Sequence, residues 1–228
     1  MSGYDLYRIY ESEIDELKSK LLTLDHNKLL LDALQISEDQ NNVKQTAYIT
    51  TESNNKYLAV MNYYTSDSSE CGWLLNCWVL GVMPTSKGDS VLVFYTDVQK
   101  TAKYTHHFFD RYAERLLESG DYHTRKELRS ISSFEMLVCM YLMRNQKIYW
   151  IQTNSVFRNK VHIFSPISDG VALFQWNKEQ NLLQANTFIT ENMLDSKQYE
   201  MVRNARIYIA LPPEEKQKCR TPDFCVID

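Results

Sequence analysis

The sequence predicts an α+β protein built on antiparallel sheet with packed helices, one at each end of the chain. Three observations carry this. Segments with three- and four-residue apolar spacing alternate with segments rich in β-branched and aromatic residues. These classes come in blocks rather than in strict alternation. Within the strand-like blocks the connections are short and polar, which favours hairpins over crossovers.

The first block, residues 9–35, predicts helix. Ile14, Leu17, Leu21 and Leu24 recur at helical steps among Glu13, Asp15, Glu16, Lys18 and Lys20. Asp25-His26-Asn27 interrupts the pattern, and Leu29 to Leu34 resumes it. Polar residues 37–42 read as a loop.

Residues 46–51, 56–64, 73–82 and 90–97 then predict strands, separated by Ser53-Asn54-Asn55, by residues 66–69 and by residues 84–89. The third run, Trp73 to Leu80, is apolar almost throughout and suits a central strand covered on both faces. Phe108, Tyr112 and Leu116, flanked by Phe109 and Leu117, give residues 104–119 one broad apolar helical face, ended by Gly120-Asp121. A second helix is expected at 133–145, where Ser132 and Glu135 have capping-box spacing and Met136, Leu137, Met140 and Tyr141 supply the buried stripe.

Strands are expected again at 147–153, 160–164, 170–176 and 182–189, with Asp169-Gly170 as a type I′ hairpin turn. Thr190 is the expected N-cap of a last helix at 191–206. Residues 1–210 are read as a single α+β domain, with possible sub-domains 1–100 and 101–210; residues 211–228 are read as an irregular tail.

The totals exclude several classes of function. The 228 residues hold only 6 glycines. No phosphate-binding loop, dinucleotide fingerprint or nucleophile elbow occurs. No run of about 18 apolar residues spans a membrane, and the N-terminus lacks the pattern of a secretory signal. The five cysteines, Cys71, Cys77, Cys139, Cys219 and Cys225, form no C-x-x-C pair. They are read as reduced thiols of a cytoplasmic protein. The net charge of −4 argues against a general nucleic-acid binder, although residues 100–165 hold 11 Lys+Arg against 6 Asp+Glu. His106, His107 and His123 are the candidates for a zinc site. Adjacent helical histidines point about 100° apart, so neither a metal nor any other cofactor is expected.

One constellation has the parts for chemistry. On the helix around 106–118, His107, Arg111 and Arg115 fall at i, i+4 and i+8, with Glu114 at i+7. A histidine exchanges protons near neutral pH, paired arginines grip phosphate, and a glutamate serves as base or orients an arginine. Metal-free phosphodiester cleavage needs little more. The same four residues also suit a solvated face laced with ion pairs, each worth a few tenths of a kcal/mol.

The pattern His107-x-x-x-Arg111-x-x-Glu114-Arg115 resembles an element of small uncharacterised bacterial proteins. More loosely, it resembles the helix of the barnase-like and interferase-toxin ribonucleases, which precedes an antiparallel sheet. That resemblance covers about 85 residues. It implies metal-independent RNA cleavage, with His107 and Glu114 in proton transfer and Arg111 and Arg115 on phosphate. A second helix intervenes here, the chain is far longer than a toxin, and no distinct basic strand follows. The first reading is therefore a binding or interaction protein without catalytic activity, its partner another protein or a second copy. Tyr4, Tyr7, Tyr10, Tyr63 and Tyr64 are the expected contacts. RNA is the partner only under the ribonuclease alternative.

Overall fold

The computed structural model describes residues 3–36, 42–65, 73–86, 88–96, 100–146, 148–153, 163–177, 182–216 and 224–227. The fold is α+β, and the chain divides into two compact units, Met1–Lys103 and Tyr104–Asp228. Among the described residues no helix is long and apolar enough to cross a membrane.

The first unit opens with helices α1 (Gly3–Thr23) and α2 (His26–Ile36). The break falls at Leu24-Asp25, where the Asp25 carboxylate accepts the Lys28 amide and starts α2. Strands β1 (Asn42–Thr50), β2 (Lys56–Thr65), β3 (Trp73–Met83), β4 (Ser90–Tyr95) and β5 (Lys100–Tyr104) follow. Their spatial order matches their chain order, and β1 to β4 pair antiparallel. Of the run expected to be covered on both faces, Cys77 to Leu80 are buried, as is all of β4, but Leu75 is exposed and the side chains of Trp73 and Leu74 lie outside the described residues. β5, with three polar residues in five, carries no sequence signal of a strand.

Glu13 on α1 staples that helix to the β1–β2 hairpin. Its carboxylate accepts from Thr51 Oγ1 (3.0 Å), Asn55 Nδ2 (2.9 Å) and Tyr57 Oη (2.6 Å). Two expected contact tyrosines belong to this core. Tyr10 is 2% exposed and packs on Tyr57, and Tyr63 is 3% exposed and pairs through its hydroxyl with His26 Nδ1. Neither is a surface contact, because β2 turns its odd-numbered residues toward the helices. Tyr64 is half-buried, and the side chains of Tyr4 and Tyr7 lie outside the described residues.

The second unit begins with helices α3 (His106–Ser119), α4 (Tyr122–Ser130) and α5 (Phe134–Arg144). α4 was not expected. Gly120 ends α3 and Asp121, read as part of that stop, is the N-cap of α4, accepting from the Thr124 amide. α5 is capped by Ser133 rather than Ser132; of the expected stripe Met140 and Tyr141 are buried, joined by Val138 and Leu142, whereas Met136 is exposed. Leu117 of α3 is exposed too.

Strands β6 (Trp150–Thr153), β7 (Ile163–Ile167), β8 (Gly170–Asn177) and β9 (Leu182–Ile189) lie in the order β9-β8-β7-β6, all antiparallel. Thr190 precedes only a 3-10 turn, Glu191–Met193, and gives it no side-chain cap. The last long helix, α6 (Ser196–Ala210), starts at Asp195 in a full capping box with Gln198. The segment expected to be irregular contains a short helix α7 (Pro213–Lys216) and a strand β10 (Phe224–Ile227) that pairs with β6.

Helices cover both faces of β8. Val171 and Leu173 pack with Val202 and Ala205 of α6, whereas Phe174 meets the aromatic cluster of Tyr104, Phe108, Tyr112, Tyr141 and Phe188. These edge-to-face rings account for much of the chain's aromatic excess. Trp78 and Trp150 are buried, whereas Trp176 is half exposed.

Candidate ligand-binding site

The predicted stripe lies on the solvent side of α3. His107 is exposed and, among the described residues, its side chain makes no hydrogen bond or ion pair. Arg111 Nη1 meets Glu114 Oε2 at 2.5 Å, with both side chains largely in solvent. His106 Nε2 lies 3.4 Å from Asp110 Oδ1. Arg115 is half-buried with Nη1 unpartnered among the described residues; burial, then the neighbouring Arg111, push its pKa down. The structure thus joins Arg111 to Glu114 and leaves His107 apart.

A different set of side chains converges at the end of the β7–β8 hairpin. Ile167 and Gly170 pair, so the loop is Ser168-Asp169. Neither loop residue has positive φ, which excludes the expected type I′ turn; Gly170 instead takes φ 150°. A Cβ on Gly170 would stand 2.3 Å from the Ile189 carbonyl oxygen. This geometry turns the Asp169 side chain inward, where it is only 5% exposed.

Four donors reach the Asp169 carboxylate. Arg144 Nη2 lies 2.7 Å from Oδ1, and Arg144 Nε lies 3.1 Å from both oxygens. Tyr112 Oη donates to Oδ2 at 2.5 Å, and Asn145 Nδ2 reaches the same oxygen at 3.3 Å. Asn145 Oδ1 accepts the Ser168 amide, and Ser168 Oγ donates to the Arg144 carbonyl. The end of α5 and the hairpin loop are thereby locked together. The hydrogen bond to Asp169 pushes the Arg144 pKa up, and burial followed by the Asp169 charge pushes the Tyr112 hydroxyl up. Arg144 therefore stays cationic and Tyr112 stays protonated across ordinary pH.

Two clefts flank this lock. The smaller, about 440 Å³, is bordered by Leu116, Asp121, Thr124, Arg144, Asp169 and Glu191. The larger, about 640 Å³, is bordered by Arg144, Gln146, Tyr149, Ile167, Arg206 and Ile209. Arg206 on α6 is held by Glu191 and by the carbonyls of Ile167 (3.0 Å) and Gly170 (3.4 Å). None of the four stripe residues borders either cleft.

Sequence reasoning passed over Arg144, Asp169 and Arg206. Arg144-Asn145 looks like an ordinary polar helix end after an apolar run, and Asp169-Gly170 looks like turn chemistry. The available signal was a cation ending an otherwise apolar helix. Compared with models of protein families, with curated proteins and with solved structures, the chain matches none.

Proposed function

We propose that the chain is a non-catalytic binding protein whose ligand site is the hairpin end of the second unit. The observation that supports this is the saturation of the Asp169 cluster. Its carboxylate is consumed by Arg144, Tyr112 and Asn145, so the group best placed as a buried base already has its lone pairs filled. Such a cluster holds a surface in shape and transfers no proton. The clefts beside it are within the size range of small-molecule sites, and they sit on helix and strand ends fixed by charge-assisted bonds.

The ribonuclease alternative requires His107, Arg111, Glu114 and Arg115 around one phosphate-sized position. None of these four residues borders either cleft, and His107 stands apart from the Arg111–Glu114 pair on the solvent side of α3.

An RNA-cleavage assay with chelator present separates the readings. The binding reading expects no turnover by the parent chain. Cleavage that disappears in His107→Ala and in Glu114→Gln would replace it with the nuclease reading.

A further inference from the structure

We infer that the larger cleft is an anion site: Arg144 and Arg206 take the carboxylate or phosphoryl head of a small organic anion, and Tyr149, Ile167 and Ile209 take its apolar body. This rests on the binding reading above and narrows it to a ligand class.

The charges are sorted between the two clefts. Asp121, Asp169 and Glu191 all border the smaller one, with Arg144 as its single cation among the described residues. The larger one is bordered by two guanidiniums and by no carboxylate among the described residues. Asp169 and Glu191, the partners of these arginines, thus stand on the far side. Arg144 borders both clefts, whereas Arg206 borders the larger one with its partner Glu191 on the smaller.

Both guanidiniums are also held before any ligand arrives. Arg144 spends Nε and Nη2 on Asp169, and Arg206 spends Nη1 and Nη2 on Glu191 and two carbonyls. Among the described residues this leaves Arg206 Nε without a hydrogen bond, whereas Arg144 Nη1 forms a longer ion pair with Glu127 (3.6 Å). Fixed donors lose little side-chain entropy on binding, the usual cost of gripping an anion with long cations. Gln146 and Tyr149 add neutral donors on the same wall. The apolar border of Pro166, Ile167 and Ile209 gives the uncharged part of a ligand somewhere to bury.

The test uses the full chain and phenyl phosphate as probe, followed by titration calorimetry, with benzylamine as the cationic counterpart. Saturable phenyl phosphate binding with Kd below about 1 mM is expected. Arg206→Gln should weaken it at least about tenfold, whereas Arg203→Gln, an equal loss of charge on the exposed face of α6, should change it less than about twofold. Because Arg206→Gln also removes a structural contact, Gln146→Glu provides a second arm. It is isosteric, places a negative charge on the same wall, and should weaken the probe at least about fivefold.

The inference is overturned by absence of phenyl phosphate binding up to about 10 mM. It is equally overturned if both cleft variants bind like the parent. Binding of benzylamine alone removes the anion assignment and leaves the binding reading standing. RNA cleavage by the parent removes the binding reading itself.

Discussion

Glu13 shows what one buried carboxylate does for the first unit. Burial alone would raise its pKa, but the hydrogen bonds from Tyr57, Asn55 and Thr51 outweigh burial and bring it below the ordinary value of 4.5. A carboxylate with a lowered folded pKa stabilises the fold above its unfolded pKa and stops doing so as pH falls through the folded one. Urea unfolding should therefore show stability declining below about pH 4.5, with a shallower decline in Glu13→Gln. At neutral pH the same substitution should cost about 2–3 kcal/mol, since three donors lose an ionised acceptor. An identical acid slope in parent and variant would show that Glu13 is not the titrating group. Asn62 presents the opposite case. It is 0% exposed on β2, and neither its Oδ1 nor its Nδ2 has a partner among the described residues, although Asn76 stands opposite on β3. Unmatched buried amide groups are costly, so Asn62→Leu should raise the denaturation midpoint by the equivalent of about 1–3 kcal/mol. A loss of stability would mean that the amide is satisfied. Neither role was legible in the sequence. Glu13 sits among seven other charged residues of α1 with nothing to distinguish it, and Asn62 lies in a mostly apolar strand.

At the scale of elements, periodicity located most helices and strands, and errors gathered where a few polar residues decide the outcome. The Thr190 reading failed because two good cap residues lie five apart. Asp195 offers a carboxylate and Gln198 three positions on, whereas Thr190 lacks the second half of the box. Asp195→Ala should lower stability by about 1 kcal/mol and increase amide exchange in the first turn of α6, while Thr190→Ala should leave that turn's exchange unchanged. Equal effects on exchange would deny Asp195 its role. Gly170 carries a larger penalty. An alanine there combines unfavourable φ with a clash against the Ile189 carbonyl, so Gly170→Ala should cost at least about 2 kcal/mol and loosen the Asp169 lock, read as a lower melting temperature. The hairpin was expected at the right place but with the wrong turn. The Asp-Gly pair usually supplies two positive-φ residues, whereas here the aspartate is held by Arg144 and only the glycine departs from ordinary conformations.

For the whole molecule, the fold class was legible because block order and short polar connections depend on composition, which a linear sequence displays directly. The site was not, because its parts come from residues 112, 144, 145, 169 and 206, whose proximity exists only after strands pair and helices dock. Overall charge sharpens the difference. A chain of net charge −4 repels anions at long range, while two fixed guanidiniums attract one at contact. Salt treats these unequally. At about 0.15 M ionic strength the Debye length is about 8 Å, so the distant negative charges are screened more strongly than a head group seated against Arg206. The two changes oppose each other, and phenyl phosphate affinity should move less than about threefold between roughly 0.02 and 0.15 M salt. Loose pairing with exposed lysines and arginines has no partly desolvated contact to preserve and weakens with added salt. Calorimetric titrations at both ionic strengths distinguish the two: a fall of about tenfold or more would assign the probe to the open surface rather than to the cleft.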